Sequence, residues 1–260
     1  MITTLPLLPF RSAKPRTNGI SMVMDKGLSI REAENMISVA SDLIDYVKLG
    51  FGTSLVSQCV ADKIKLYHQA NIKVYLGGTL FEAFLIRNSL DAYKKLIDTW
   101  HLESVEISDG SMIINHSDKC EMIKDFAKNY NVLSEVGSKD EDVVYDNAVW
   151  ISQMQQELEA GSTLVIAEAR ESGTVGIFKG NHQANTSLIN DLSAHIETDK
   201  ILWEAPVKKQ QIEFIKQFGS NVNLGNINTT EIVALETLRL GLRGDTFFDF
   251  LPDNLQSLKQ

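Results

Sequence analysis

Acidic residues recur in this sequence at the carboxyl ends of short apolar runs. Glu106 and Ser108 stand two positions apart, as do Glu168 and Arg170, so each pair shares one face if its run is a β-strand. The carboxylates that end such runs are Glu106, Glu135, Glu168 and Glu204. A buried carboxylate without a partner costs several kcal/mol. We therefore expect this set to pair with cations, to bind a metal ion, or to do both.

The residue types at these run ends favour one kind of metal. Carboxylate oxygens without a histidine or cysteine cluster suit Mg²⁺ rather than zinc. Lys48 and Lys139 also follow apolar runs, and a lysine beside such a site suits proton transfer or anion binding. The pattern indicates a Mg²⁺-assisted reaction on a small phosphorylated or carboxylated molecule, and it does not name the reaction.

Two glycine-containing segments lie at the same kind of position. Gly77-Gly78-Thr79 and Arg170-Glu171-Ser172-Gly173 each follow an apolar run. Backbone N–H groups in loops of this kind hold phosphate, although both segments also suit ordinary turns.

Eight β-branched apolar runs bounded by turn residues predict eight strands. They are 19–26, 44–51, 73–77, 104–108, 131–136, 162–170, 200–205 and 221–224. The amphipathic stretches between and after them predict helices at 29–42, 54–70, 81–100, 117–129, 140–160, 186–196, 208–218 and 229–242. Ser29 with Glu32 has the spacing of a capping box.

Strict alternation of strand and helix over eight units predicts a parallel sheet closed into a (β/α)8 TIM barrel. The alternative is an open doubly wound sheet. Its glycine fingerprint has a near match at Gly50-Phe51-Gly52, but the third glycine is missing and the segment follows the second strand. A barrel places these charged run ends around one rim, where such enzymes carry their active sites.

The chain has 260 residues and no composition shift that would divide it. We expect one domain over 1–260, with an N-terminal arm at 1–18 and a C-terminal tail at 244–260. The formal net charge of −9 argues against nucleic acid and anionic membranes as partners. Cys59 and Cys120 form no CxxC motif, which favours a reduced, cytoplasmic setting. The apolar arm and the phenylalanine-rich tail make a homo-oligomer the expectation.

A series of segments resembles the phosphosulfolactate synthase family, in order, from about residue 14 to residue 246. The segments are Asp25-Lys26-Gly27, 45–54, 77–82, 105–111, 133–137 with 139–140, 168–173, 204–206 with Lys208 and Gln211, 221–227, and 235–239 with 241–243 and 245–246. Each segment alone is a weak signal, whereas the ordered set is highly specific. Plant heat-stress-associated proteins share the same segments.

The resemblance implies a (β/α)8 enzyme, a lyase that uses Mg²⁺ to add sulfite to phosphoenolpyruvate and gives (2R)-phospho-3-sulfolactate. In methanogens this reaction opens coenzyme M synthesis, and in some bacteria the relatives are linked to sulfolactate. The alternatives are a non-catalytic stress-associated homologue on the same barrel and another Mg²⁺-dependent barrel enzyme acting on a phosphoenolpyruvate-like or oxo-acid substrate.

With that reaction in view, roles can be assigned to the residues at the rim. Lys139 is the first candidate for the general acid and Lys48 the second, and Glu106 and Glu168 complete the catalytic set. The candidate metal ligands are Glu106, Glu135, Glu168, Asp25 and Glu204. The candidate substrate-binding residues are Arg170, Gly78, Thr79, Ser108 and Asn223.

Overall fold

A computed structural model of the chain describes residues 5–137, 146–169, 176–178 and 184–259. Its strands are β1 (Ser21–Asp25), β2 (Tyr46–Leu49), β3 (Lys73–Leu76), β4 (Ser104–Ile107), β5 (Asn131–Val136), β6 (Leu164–Ala167), β7 (Ile201–Glu204) and β8 (Leu224–Asn228). Its helices are α1 (Ile30–Ala40), α2 (Val60–Gln69), α3 (Gly78–Leu85), α4 (Leu90–Thr99), α5 (His116–Phe126), α6 (Asn147–Ala160), α7 (Thr186–His195), α8 (Lys208–Phe218), α9 (Ile232–Arg239) and α10 (Asp253–Gln256).

The eight strands form one parallel sheet in the order β3-β2-β1-β8-β7-β6-β5-β4. The two ends of this order, β3 and β4, lie in contact and bring the sheet nearly to closure. Helices alternate with the strands along the chain. The predicted (β/α)8 TIM barrel is confirmed.

Side-chain alternation along the strands divides the apolar residues into two layers. The inner cluster fills the barrel and consists of Ile20, Met22, Tyr46, Tyr75, Leu133, Leu164, Ile166 and Leu202. The outer cluster packs the sheet against the helices and includes Val23, Val47, Val74, Val105 and Val132. The carboxyl ends of the strands therefore form a rim above a packed interior.

Three predicted element boundaries were wrong. The predicted helix 81–100 is two helices, because Asn88 takes a left-handed backbone conformation (φ 52°) between α3 and α4. The helix predicted from residue 54 begins at Val60, after a 3₁₀ turn over Thr53–Leu55. The last strand lies at Leu224–Asn228 rather than at 221–224.

Other local signals agree with the structure. Ser29 caps α1 in a capping box with Glu32, as the sequence predicts. Asp146 caps the start of α6, and the earlier part of the predicted helix 140–160 lies outside the described residues.

Both terminal segments are tied to the barrel by polar contacts. The Arg11 side chain donates to both carboxylate oxygens of Glu236 and to Oδ1 of Asn221 at 2.6 Å. In the tail, Lys208 of α8 forms an ion pair with Asp245 at 2.7 Å. Within the described residues, no helix is both long enough and apolar enough to cross a membrane.

Candidate active site

A network of buried charges lies at the carboxyl rim of the barrel. Nζ of Lys48, from the end of β2, lies 2.9 Å from Oε2 of Glu106 on β4. The same ammonium lies 3.4 Å from Oε2 of Glu135 on β5 and 3.4 Å from Oε1 of Glu204 on β7. The three carboxylate side chains are at most 2 % exposed. Four strands thus bring these side chains to one point.

Glu135, Glu168 and Glu204 form a second grouping within the same rim. One carboxylate oxygen from each lies within 4.8 Å of the others, and all three residues are buried. Hard oxygen donors converging in this way match the ligand preference of Mg²⁺. Glu135, Glu168 and Glu204 therefore have the donor atoms and the spacing to hold a divalent cation.

Burial and mutual repulsion shift the pKa values of these groups. Burial, together with repulsion from Glu135 and against the attraction of Lys48, raises the pKa of Glu204 to about 7. Burial also raises the pKa of Glu106, with Lys48 opposing it. Burial alone would lower the pKa of Lys48, but Glu106, Glu204 and Glu135 outweigh it and hold that pKa well above its usual value. Lys48 is therefore a fixed cation at neutral pH.

Glu106 also receives a backbone hydrogen bond that depends on a glycine. The Gly78 amide, at the first residue of α3, donates to Oε1 of Glu106. A Cβ at this position would lie 2.3 Å from the Ser108 hydroxyl oxygen and 2.8 Å from Oε1 of Glu106. Only glycine allows α3 to approach the carboxylate this closely.

The other predicted substrate-binding residues fall in two places. Ser108 is buried at the rim, and its hydroxyl donates to Oε1 of Glu82 on α3. Thr79 is exposed beside Gly78. Asn223 lies at the opposite end of the barrel, where Oδ1 accepts from the Ile20 amide and Nδ2 donates to the Asp199 carbonyl. The structure does not bring Asn223 to the rim.

Asp25 is also separate from the carboxylate group. Its Oδ2 accepts from Nζ of Lys63 at 2.7 Å and from the Tyr67 hydroxyl at 2.9 Å, both on α2. Its Oδ1 accepts from the amides of Gly27 and Leu28. Because Met22 on the same strand points into the barrel, Asp25 points outward to the helices. Lys139 and Arg170 lie outside the described residues.

Two residues that shape the site are not among the site residues predicted from the sequence. Glu82 accepts from Ser108 and, at 2.7 Å, from the Ser111 amide, so it fixes the loop that follows β4. Gly176 has φ 77°, and a Cβ there would lie 2.0 Å from the Glu168 carbonyl oxygen. Nothing in the sequence around Gly176 predicts this close approach to the Glu168 carbonyl.

Fold and site together define a (β/α)8 barrel enzyme with a buried carboxylate and lysine centre at its carboxyl rim. Over residues 9–245 the chain matches the model of the (2R)-phospho-3-sulfolactate synthase (ComA) family. The chain belongs to this family, and it is an enzyme.

Named relatives agree with this assignment. The chain is 39% identical over 244 residues to the phosphosulfolactate synthase of Bacillus subtilis, covering 93% of this chain and 97% of that one. It is 39% identical over 246 residues to the phosphosulfolactate synthase of Methanothermobacter thermautotrophicus, covering 92% and 95%.

Solved structures share the fold at much lower identity. The YdjI aldolase of Escherichia coli superposes with a TM-score of 0.54 at 11% identity, over 94% of this chain and 85% of that one. The 3-hexulose-6-phosphate synthase of Salmonella typhimurium gives 0.52 at 12% identity, over 93% and 100%. These likenesses establish the barrel alone.

Proposed function

We propose that this enzyme catalyses the Mg²⁺-dependent addition of sulfite to phosphoenolpyruvate, giving (2R)-phospho-3-sulfolactate. Membership of the family and the names of its relatives support the reaction. The observation that carries the proposal for this chain is the convergence of Glu135, Glu168 and Glu204 beside Lys48. A cation bound there would attract a small anionic substrate, and Lys48 offsets part of the charge of the carboxylates.

The proposed metal ligands are Glu135, Glu168 and Glu204. When bound there, Mg²⁺ supplies a Lewis acid for the negative charge that develops on the substrate carboxylate. Glu106 has a different role, because it is not part of this group of three and its Oε2 lies 2.9 Å from Nζ of Lys48. We assign it to the fixing of the Lys48 ammonium.

The reaction balances as an addition across the carbon–carbon double bond. The sulfur lone pair of sulfite forms a bond to C3, the methylene carbon, and the π electrons move toward C2 and the carboxylate. A proton then reaches C2 and completes the product, and no group leaves. The enzyme must therefore present sulfite to C3 and deliver the proton to one face of C2.

The pKa of Lys48 bears on which lysine delivers that proton. A general acid works best when its pKa lies near the working pH, and the carboxylates hold that of Lys48 far above it. Lys48 thus suits charge balance, and Lys139 stays our first candidate for the proton donor. Arg170 would grip phosphate or sulfite through its planar pair of N–H donors.

Thr79, in the first turn of α3, and Ser108, which directly follows β4, extend the proposed substrate site on either side of Gly78. The Ser108 hydroxyl lies beside Glu106 and Glu82, at the base of the proposed site.

A cytoplasmic location and a homo-oligomer remain predictions from the sequence.

The experiment is an assay of the purified protein with phosphoenolpyruvate, sulfite and Mg²⁺, followed by ³¹P NMR. Reactions that each omit one component, and one that contains a chelator, are the controls. We expect a new phosphate-ester resonance only in the complete mixture. An unchanged phosphoenolpyruvate signal from folded protein would refute the proposal.

A further inference from the structure

Asn226, a residue without an assigned role, lies at the rim in an unusual backbone setting. Leu224 pairs with Ser21, and Ile227 pairs with Val23. Between these two pairs β8 contains one more residue than β1. This β-bulge contains Asn226 in a left-handed conformation at φ 56°. Bulges of this kind redirect a side chain, and they are over-represented next to active sites.

The redirected side chain reaches the loop that follows β6. Nδ2 of Asn226 donates to the Ala169 carbonyl at 3.2 Å. The Ala169 amide in turn donates to Oε2 of Glu204 at 2.9 Å. Ala169 directly follows Glu168, so one residue connects Asn226 to two carboxylates of the cluster.

The second polar atom of the same amide group adds an independent observation. Oδ1 of Asn226 is buried and accepts no hydrogen bond from the residues that the structure describes. A buried acceptor without a hydrogen bond lowers the stability of the fold. Such acceptors are rare unless a ligand or a water molecule donates to them. The Nδ2 contact fixes the direction of this oxygen.

We propose that Asn226 is a positioning residue for the carboxylate cluster, holding Ala169 so that Glu168 and Glu204 converge on a divalent cation. The proposal rests on the function proposed above. Hydrogen-bond partners of metal ligands typically contribute about 10- to 100-fold to metal affinity. Oδ1, which no donor among the described residues serves, is available to a donor in the bound assembly.

The test uses Asn226→Gly, because glycine keeps the left-handed backbone and removes only the side chain. Asn71→Gly is the matched control, since Asn71 also has a left-handed backbone (φ 55°) but follows α2 at the amino-terminal face of the barrel. Mn²⁺ binding to each protein is measured by electron paramagnetic resonance of the free ion. Thermal unfolding is recorded without metal.

We expect Asn226→Gly to weaken Mn²⁺ binding by about 10-fold or more, with Asn71→Gly unchanged. The melting temperature of Asn226→Gly should fall by no more than about 4 °C, the effect of one hydrogen bond. Excess Mg²⁺ should restore most of the turnover of Asn226→Gly, which a general structural defect would not allow.

The failures can be told apart. If wild-type protein binds Mn²⁺ and Asn226→Gly binds it equally well, this inference is overturned and the proposed function stands. If wild-type protein binds no Mn²⁺, both fall together. A large loss of melting temperature with unchanged affinity would assign Asn226 to folding and would also overturn the inference.

Discussion

Nζ of Lys48 on β2 and Oε2 of Glu106 on β4 are 2.9 Å apart at the carboxyl rim of the barrel. Because β3 lies between these two strands, the contact spans the place where β3 meets β4 and the barrel nearly closes. Because the same ammonium also lies near Glu135 and Glu204, it links four strands through one charge.

Lys48→Met should remove both activity and stability. The substitution leaves Glu106 beside two other buried carboxylates without this cation, and breaking a buried ion pair typically costs about 3–5 kcal/mol. Urea unfolding and the sulfite-addition assay measure the two effects. Lys63→Met is the matched control, because it breaks the buried Lys63–Asp25 pair outside the barrel interior. It should lose similar stability and keep its turnover per folded molecule, and equal turnover by Lys48→Met would contradict our assignment.

The sequence predicts both Asp25 and Glu168 as metal ligands. The variants Asp25→Asn and Glu168→Gln should show that these two carboxylates have different roles. Asp25 is engaged by Lys63, Tyr67 and two backbone amides, so its replacement should lower the free energy of unfolding by about 3 kcal/mol. Its Mn²⁺ affinity should match that of wild-type protein. Glu168→Gln should show the reverse, with weak Mn²⁺ binding, and strong binding by this variant would remove Glu168 from the proposed ligands.

The carboxylates at the rim could be predicted from the sequence because side chains alternate between the two faces of a strand. Four glutamates follow the inward face of their strands, namely Glu106, Glu135, Glu168 and Glu204. The pattern of apolar residues is therefore enough to predict their place at the rim. The same rule applied to β1 puts Asp25 outside, because Met22 points inward. Its partners Lys63 and Tyr67 lie about forty positions away on α2, where no local pattern connects them to it.

The β8 region was beyond this kind of reasoning. A β-bulge adds one residue to the strand, and the inward and outward positions exchange after it. The sequence also predicts the last strand too early, at 221–224 rather than at Leu224–Asn228. It therefore selects Asn223, which lies at the amino-terminal end of the barrel, and misses Asn226 at the rim. Gly225 before Asn226 was the one local sign of an irregular backbone.

Gly78→Ala should disable the site by steric conflict. The added methyl group meets Ser108 and Glu106 at distances far below ordinary contact, and one of these groups or α3 must move. We expect turnover to fall by at least about 100-fold, since displacement of about 1 Å in a catalytic site has effects of that order. Gly244→Ala is the control, because a Cβ there has open space. Wild-type kinetics in Gly78→Ala would show that the approach of α3 to Glu106 is dispensable.

Mg²⁺ affinity should depend on pH through Glu204. Its pKa is raised from 4.5 to about 7, chiefly by burial, so a proton competes with the cation below neutral pH. Displacement of one proton makes Mg²⁺ binding about tenfold weaker at pH 6 than at pH 8. The Mg²⁺-induced rise in melting temperature, recorded across this range, measures the effect.

The metal-free protein should respond in the opposite sense. A raised pKa favours the neutral carboxyl, so the stability that it contributes is complete below pH 4.5 and is lost as the pH rises through about 7. The side chain introduced by Glu204→Gln stays neutral at every pH. This variant should therefore lose both the pH dependence of Mg²⁺ binding and the pH dependence of metal-free stability that Glu204 causes. A Mg²⁺ effect that is the same at pH 6 and pH 8 in wild-type protein would argue against Glu204 as a ligand.

The proposed sulfite addition is tested most directly at C3 of phosphoenolpyruvate, the carbon that forms the new bond to sulfur. Phosphoenolpyruvate labelled with ¹³C at C3 is incubated with sulfite, Mg²⁺ and either wild-type protein or Glu168→Gln, and ¹³C spectra are recorded. With wild-type protein we predict that the alkene methylene signal is replaced by that of a saturated methylene bonded to sulfur, and that Glu168→Gln forms it far more slowly. Persistence of the alkene signal with wild-type protein, or equal rates for the two proteins, would contradict the account.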